Sequence, residues 1–330
     1  MKNVLKSIIL LILIATTAAA SQKPDPSGIV RLFSVNFSRP ENSPSWTNDN
    51  VDGMRLRPIW SDVQPNEATF DWSSIDELLD LGAQHGKFIG LSVTAGVATP
   101  QWVYNAGATK YRLRDDSGLS MPVPWDNVFL DKWLNFVRAM GARYDSDPTL
   151  GYVVISGLGQ IIETHLSKTE EDDEALQARG GPDAWISAAK QIIGAYARAF
   201  PTTPFFITAS KPFNDPATIA ALQQVIEWGV ATYPGRFGIM NATLNAHSDI
   251  GYYPNLAIFN YHAVQPVGFQ MLCSAEHDRA RLGGTLNDAL NRGVLLRAKF
   301  VEIYQDDVDK PANQTVLAIQ GDALERNLRH

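Results

Sequence analysis

Cysteine is almost absent from this sequence, which has one, Cys273, in 330 residues. An intrachain disulfide is therefore excluded, and the core must stabilise the fold without one. The neighbours of Cys273 predict a buried thiol at a strand end, and a nucleophilic cysteine is the less favoured alternative. The sequence also lacks internal repeats, a phosphate-binding loop, a Gly-x-Ser-x-Gly elbow and metal-ligand spacings such as His-Glu-x-x-His. It therefore predicts neither a metal nor a cofactor.

Positive charge is also scarce, with 28 Lys and Arg against 35 Asp and Glu and a formal net charge of −7. This balance argues against nucleic acid and anionic membranes as partners, whereas neutral polymers such as polysaccharides remain open. Runs of more than two consecutive acidic residues occur only at Glu170–Glu174. Their spacing lacks the alternating ligands of a calcium loop, so we expect a solvated insertion there rather than a calcium site.

Long apolar runs are missing beyond the N terminus. There, Lys2 and Lys6 precede an apolar run from Ile8 to Ile14, and Ala18–Ala20 form a small-residue cleavage site. The run is shorter than the ~20 residues of a membrane-spanning helix and is typical of an export signal. We therefore expect cleavage near Ala20 and a protein exported to the periplasm or beyond, with no membrane anchor.

The remaining residues, 21–330, alternate short apolar runs with longer helical patterns and are predicted to form one domain. The predicted strands are Val30–Val35, Met54–Ile59, Phe88–Val93, Tyr152–Ser156, Phe205–Thr208, Phe237–Met240, Val267–Leu272 and Phe300–Tyr304. Helical periodicity lies between them, with Asp126 and Asn214 as candidate N-caps. Eight such units predict an α/β fold, the (β/α)8 TIM barrel. A doubly wound sheet is the alternative, but no glycine-rich dinucleotide fingerprint follows the first strand.

The most informative segment is GMRLRPIWSDVQPNEATFDWSSIDELLDLGAQHGKFIGLSVTAGVATPQWVY, from Gly53 to Tyr104. It contains two arginines in a strand, a tryptophan, a Gln-Pro turn, and a Phe-Asp-Trp run before a helix that contains Ile-Asp. This pattern resembles the second and third βα units of (β/α)8-barrel glycoside hydrolases of the large retaining clan, which includes cellulases and β-galactosidases. The resemblance implies a glycosidase.

Both catalytic positions of that clan differ in this sequence. The clan places its acid/base Glu after an Asn at the end of strand four, and its nucleophilic Glu at the end of strand seven. Here strand four leads to Gly159-Gln160, with Glu163 as the nearest carboxylate, and strand seven carries Gln270. An amide can neither donate a proton readily nor form a glycosyl ester, so the clan's mechanism does not transfer to these positions.

Two other carboxylates are predicted to be catalytic, Glu302 and Glu163. In the last strand, Phe300, Glu302 and Tyr304 should face the barrel interior, because side chains alternate between the two faces of a strand. A buried ion pair of Glu302 with Arg55 or Arg57 is the alternative role. Glu163 follows strand four and could instead be an ordinary loop carboxylate.

Substrate-binding residues are predicted from position, because TIM-barrel active sites form at the carboxyl ends of the strands. These residues are Arg57, Trp60, Trp102, Trp125, Gln160, Asn241, Gln270 and Tyr304. The same rule marks Asp306, after the last strand. The sequence thus predicts a secreted glycosidase that cleaves a poly- or oligosaccharide with paired carboxylates. The alternative is a non-catalytic carbohydrate-binding barrel, which Gln160 and Gln270 favour. The sugar, the linkage and the oligomeric state stay open.

Overall fold

Eight parallel strands form a closed barrel in the computed structural model, which describes residues 21–33 and 40–329. In chain order the barrel strands are β1 Gly28–Leu32, β2 Gly53–Leu56, β3 Phe88–Leu91, β4 Leu150–Val154, β5 Phe205–Thr208, β6 Phe237–Leu244, β7 Val267–Met271 and β8 Phe300–Tyr304. Each strand pairs with its neighbours in the sequence, and β1 pairs with β8. The predicted TIM barrel is confirmed. The predicted export signal and the end of the first predicted strand lie outside the described residues.

Helices follow the strands and cover the barrel. They are Trp60–Val63, Ser73–His85, Gln101–Asn105, Asn127–Tyr144, Glu170–Gln177, Gly181–Ala199, Ile219–Thr232, Tyr253–Tyr261, Arg279–Leu282, Leu286–Leu295, Gln305–Val308 and Gln314–Arg326. Short 3-10 turns lie at Pro40–Asn42, Pro44–Thr47, Gly96–Ala98, Pro216–Thr218, Pro311–Asn313 and Asn327–Arg329. Across residues 21–33 and 40–329, the helices lack the combination of length and apolar character that a membrane crossing requires.

Alternation along the strands separates two apolar layers. Phe300, Tyr152 and Phe206 belong to a cluster inside the barrel, whereas Val301 and Ile303 belong to the larger cluster between the strands and the helices. Side chains one residue apart on a strand point to opposite faces, so a single strand contributes to both layers. The predicted orientation of β8 is therefore confirmed.

Glycines make room for the large rings inside the barrel. A Cβ atom at Gly90 would lie 2.2 Å from the Tyr152 ring, and one at Gly268 would lie 2.2 Å from the Phe300 ring. Large and small residues on adjacent strands therefore fill the narrow interior together, which makes it a packed core and not a pore.

One of the two predicted helix caps is correct. The Asp126 carboxylate accepts hydrogen bonds from the backbone N–H groups of Val128 and Phe129, at 3.0 and 2.9 Å. Asn214 is not the cap of the later helix. Asp215 instead caps the 3-10 turn Pro216–Thr218 that leads into the helix Ile219–Thr232, and it accepts from Ala217 N at 2.9 Å.

The acidic run follows β4 as predicted and begins a helix, with Glu170, Glu171 and Glu174 exposed to solvent. Thr169 caps the helix Glu170–Gln177, whose first turn suits negative charge. Asp172 is buried and accepts from Tyr111 Oη at 2.5 Å and from Arg114 N at 3.1 Å. Because this contact crosses to another loop, the run joins two loops at one end of the barrel.

That other loop, which follows β3, contains a small antiparallel hairpin. Its strands are Lys110–Arg112 and Ser120–Pro122. An ion pair of 3.4 Å between Lys168 and Asp115 links the hairpin to the loop after β4. Both loops leave the carboxyl ends of their strands, so the hairpin lies at the barrel end where active sites form.

Candidate active site

A cavity opens at the carboxyl ends of the strands, where the sequence predicted the site. Its volume is about 390 Å³, and it is lined by Arg57, Gln160, Ile161, Glu163, His165, Lys168, Ser210, Ala242, Thr243, Gln270, Leu272, Arg281 and Tyr304. A second cavity of about 310 Å³ is lined by Leu32, Arg57, Ser274, His277, Tyr304, Gln305 and Asp306. Arg57 and Tyr304 line both cavities, which therefore meet at these two side chains. We call the two cavities together the barrel mouth.

Five of the predicted site residues meet there: Arg57, Gln160, Glu163, Gln270 and Tyr304. They come from the ends of four different strands, which only barrel closure brings together. The lining residues His165, Lys168, Ser210, Thr243 and Arg281 were not predicted. Each lies in a segment that follows or ends a barrel strand, so the strand-end rule could have found them as a group.

The loop that carries Glu163 is held rigidly. Gln160 N donates to His165 O at 2.9 Å, and Gln160 Nε2 donates to Leu166 O at 3.1 Å. Thr164 N donates to Thr208 O at 3.1 Å, which fastens the loop to β5. The Glu163 side chain stays partly exposed and forms no ion pair with other described residues. A fixed backbone with an available carboxylate suits a catalytic position.

Glu302 lies beneath the mouth and has no exposed surface. Its two carboxylate oxygens accept from Arg55 Nη1 at 2.5 and 2.6 Å, and Oε1 also accepts from Tyr152 Oη at 2.7 Å. Ser92 Oγ accepts from Arg55 Nε and Nη2, at 3.2 and 3.0 Å. Glu302, predicted to be catalytic, is therefore enclosed by these partners and has no access to the mouth, and the structure shows the alternative arrangement, the buried ion pair with Arg55.

The opposite charges of Arg55 and Glu302 stabilise each other in the barrel interior. Burial alone would lower the pKa of Arg55, but the adjacent Glu302 and Tyr152 raise it. Burial and the Glu302 charge together raise the pKa of Tyr152 well above its usual value. The group is thus a charged guanidinium, a carboxylate and a neutral phenol, in an interior where a lone charge would be costly.

Arg57 is the counterpart of Arg55 on the mouth side, two residues further along the chain. Its guanidinium forms no ion pair within residues 21–33 and 40–329, and its buried Nε has no hydrogen-bond partner. Burial lowers the pKa of Arg57 and Arg55 lowers it further, while Glu163 and Glu302 oppose the shift. Arg57 therefore offers the mouth a cation without a bound counter-charge.

The predicted amides divide between the mouth and the scaffold. Gln270 lines the mouth and shares a side-chain hydrogen bond with Tyr304, whose pKa burial raises. Asn241 is buried away from both cavities. Its Nδ2 donates to Asn255 Oδ1 at 2.7 Å and its Oδ1 accepts from Thr243 N at 3.0 Å. Asn241 therefore shapes the loop after β6 and is not among the residues that line either cavity.

The three predicted tryptophans do not line the mouth. Trp60 is fully buried and donates to Gln64 Oε1 at 2.9 Å; Trp102 donates to Gln64 O at 2.9 Å. Trp125 donates to Arg179 O at 2.7 Å. The predicted placement is wrong because each indole N–H is satisfied by the scaffold, where the rings anchor loops. Among the described residues, no cluster of His, Cys, Asp and Glu could hold a metal ion.

Comparisons with known proteins agree with this architecture. Residues 54–157 match glycoside hydrolase family 42, described as β-galactosidase. The catalytic domain of β-amylase from Paenibacillus polymyxa is similar in structure, with a TM-score of 0.62 at 10% identity over 92% of this chain and 100% of that chain. The β-galactosidase from the psychrophilic Marinomonas ef1 has a TM-score of 0.55 at 11% identity, over 89% of this chain and 59% of that chain. No curated protein matches in sequence.

At these identities the structural likeness concerns the fold. The family match runs from β2 to the loop after β4, the region in which the sequence resemblance was recognised. Together the findings support a distant TIM-barrel glycoside hydrolase and make a glycosidase the class of enzyme to which the chain is similar.

Proposed function

We propose that this protein is an exported glycoside hydrolase that binds a poly- or oligosaccharide in the barrel mouth and hydrolyses a glycosidic bond there. One observation carries the proposal. The cavity at the carboxyl ends of the strands holds the partly exposed carboxylate of Glu163 together with Arg57, Gln270 and Tyr304. This is where TIM-barrel enzymes carry out their chemistry.

Glycoside hydrolysis requires two carboxyl groups, one that protonates the leaving oxygen and one that acts on the opposite face of the sugar. Glu163 and Asp306 are the carboxylates that line the two cavities of the mouth. Asp306 follows β8, is largely exposed, and lies 2.6 Å from His277 Nε2. We assign the second carboxyl role to Asp306 in place of Glu302, because Glu302 has no exposed atom.

The two carboxylates lie in the segments that follow β4 and β8, two strands on opposite sides of the barrel. This placement favours the wider spacing of an inverting pair, roughly 6.5–9.5 Å, over the ~5–5.5 Å of a retaining pair. In this mechanism Glu163 protonates the glycosidic oxygen, and Asp306 removes a proton from the attacking water. The C–O bond to the leaving group breaks as the water oxygen bonds to the anomeric carbon.

Glu302 acts indirectly in this proposal. Its ion pair with Arg55 fixes the floor of the mouth and keeps one of the two neighbouring arginines neutralised. Export is proposed from the basic and apolar N-terminal pattern described above. Secretion suits an enzyme whose substrate is a polymer too large to cross a membrane.

The test is a screen of polysaccharides with detection of new reducing ends, using the wild type, Glu163→Gln and Asp306→Asn. Each variant should lose about 10²–10⁴-fold of turnover with an unchanged melting temperature. Glu276→Gln is the matched control, because Glu276 lies near the mouth but pairs with Lys310 outside the two cavities. It should retain turnover within about twofold.

Four results decide between these roles. Loss of turnover in both variants supports the pair, and an inverted anomeric product seen by NMR supports the assigned mechanism. Full turnover in the Glu163→Gln variant contradicts it. Glycan binding without hydrolysis across the panel would identify a non-catalytic carbohydrate-binding barrel, the function that Gln160 and Gln270 favour.

A further inference from the structure

The side chains of the main mouth cavity are more basic than the protein as a whole. Arg57, Lys168 and Arg281 line that cavity against one carboxylate, Glu163. The complete chain has the opposite balance, with a formal net charge of −7. A local excess of cations in an acidic protein creates a positive potential confined to the site.

Arg57 and Arg281 have no ion-pair partner among the residues that the structure describes, whereas Lys168 pairs with Asp115 at 3.4 Å. Arg57 is also the side chain at which the two cavities meet. Its buried Nε lacks a hydrogen-bond partner. A planar guanidinium binds a carboxylate with two parallel hydrogen bonds, so a carboxylate on the substrate would pair with the accessible outer end of the half-buried Arg57 side chain.

A second basic surface lies on the hairpin at the same end of the barrel. A hollow of about 430 Å³ is lined by Lys110, Tyr111, Arg112, Leu113, Arg114 and Arg179. We call these residues the hairpin patch. Its four cations are exposed. Because the hairpin is joined to the Glu163 loop through Lys168 and Asp115, the patch is a neighbour of the mouth and not a remote surface.

The acidic residues near the patch are not among the residues that line the hollow. Asp172 is buried beneath it and faces Tyr111 Oη and Arg114 N. Arg114 contacts the backbone carbonyl of Glu171, at 3.3 Å, and not the Glu171 carboxylate. The Arg179 guanidinium lies 5.7 Å from the centre of the Tyr111 ring. The hollow thus presents four exposed cations above a buried aromatic ring, a surface suited to a negatively charged chain.

We propose that the substrate is an acidic glycan, in which a uronic acid carboxylate pairs with Arg57 in the mouth and carboxylates further along the chain contact the hairpin patch. This inference rests on the proposed function for the reaction and adds the class of sugar. The sequence analysis left neutral polymers open on the basis of the net charge; an acidic glycan differs from them, because the overall charge does not report the charge of the site.

Binding is measured by calorimetry on the Glu163→Gln variant, so that hydrolysis does not consume the ligand. The probes are polygalacturonate, alginate and glucuronoxylan, each paired with the same polymer after reduction of its carboxylates to primary alcohols. These pairs keep the linkage and change only the charge. At least one acidic polymer should bind about tenfold or more tightly than its reduced partner, and the difference should shrink as salt is raised.

Two further variants locate the contacts. Arg57→Gln in the same background should bring the acidic and reduced forms to within about threefold of each other, and Arg57→Lys should restore part of the preference because it keeps the charge. The double variant Lys110→Ser/Arg112→Ser should weaken binding of long acidic chains but not of acidic trisaccharides. Sulfated and desulfated carrageenan form a separate arm, and a preference for sulfate over carboxylate would overturn the assignment to uronic acids.

Equal or tighter binding of every carboxyl-reduced polymer overturns the inference, as does the absence of binding to all acidic probes. Hydrolysis is scored separately by reducing ends with the wild type. Acidic glycans that bind but are not cleaved support the inference and contradict the proposed function. Cleavage confined to neutral glycans would support the proposed function and contradict the inference. The two proposals therefore fail in distinguishable ways.

Discussion

The buried ion pair between Arg55 and Glu302 gives the sharpest prediction. Glu302→Gln removes the negative charge with almost no change in shape and leaves the Arg55 guanidinium in the barrel interior without its counter-charge. Both residues are at most 1% exposed. The remaining neutral partner, Ser92 Oγ, is 3.0 Å from Nη2 and accepts a hydrogen bond without balancing the charge.

The expected cost follows from this arrangement. Removing one partner of a buried ion pair destabilises a protein by about 3–5 kcal/mol. For a chain of this size, that loss corresponds to a fall in melting temperature on the order of 4–8 °C. The double variant Arg55→Met/Glu302→Leu should recover much of the loss, because an apolar pair needs no desolvation of charge.

The assay combines urea unfolding, followed by circular dichroism, with reducing-end turnover on the same samples. Glu163→Gln is the matched control, because it is the same Glu-to-Gln change at a partly exposed position. The control should lose turnover and keep its stability. Glu302→Gln should lose stability, and the folded fraction should keep measurable turnover.

The reasoning is refuted if Glu302→Gln unfolds at the wild-type urea concentration and loses turnover by about 10³-fold. That result would mean that the carboxylate becomes accessible during the reaction and acts as a catalytic group, as the sequence alone predicted. A double variant that is no more stable than the single variant would instead show that the interior requires the polar group itself.

Three other predictions concern the loops around the mouth. Gly159→Ala should reduce turnover more than stability, as shown by comparing kcat with the melting temperature, because a Cβ atom there would lie 2.3 Å from the backbone oxygen of Glu163. Burial lowers the pKa of His165, so the unfolded chain binds its proton first as the pH falls below ~6.5. The free energy of unfolding should therefore decrease as the pH falls below ~6.5. The His165→Gln variant should lack this decrease, as measured by urea unfolding above and below that pH. Asp172→Asn should lower the free energy of unfolding by about 1–3 kcal/mol, since it weakens the buried contact with Tyr111, and thermal melts should show it.

The barrel could be predicted from the sequence because each of its strands and helices is indicated by a pattern of neighbouring residues. Each strand is a short apolar run separated from the next by a helical pattern, and eight such units close in chain order. The ends of the elements were less predictable. Asn214 and Asp215 are both good helix caps, and only the packed turn decides that Asp215 accepts the hydrogen bond.

The tryptophans show a second limit of prediction from the sequence, which concerns the role of a residue and not the position of an element. A ring after a strand is typical of both a sugar platform and a loop anchor, and the sequence does not distinguish the two. The difference depends on where the indole N–H finds its acceptor. For Trp60 the acceptor is Gln64 Oε1, four residues later, and the ring packs 4.9 Å from the centre of the Trp133 ring. This packing between helix and loop depends on the tertiary structure and cannot be predicted from the local sequence.

Glu302 illustrates why the face of a strand is easier to predict than its depth. Alternation correctly placed its side chain inside the barrel, but alternation carries no information about distance along the barrel axis. Depth depends on register, which pairs Glu302 with Val30 on one side and Gln270 on the other. At that level Arg55 and Tyr152 close around it, below the cavity to which Glu163 and Gln270 contribute.

The same register explains the electrostatics of the mouth. Two arginines lie two residues apart at the end of β2, and the interior supplies one carboxylate within ion-pairing distance of them. Glu302 neutralises Arg55 at 2.5 Å, and Arg57 is left facing the cavity without a partner among the described residues. A neutral sugar would leave that guanidinium desolvated and unpaired, which is unfavourable, whereas a carboxylate would satisfy it. The position of one buried glutamate therefore determines which charge the mouth prefers in its substrate.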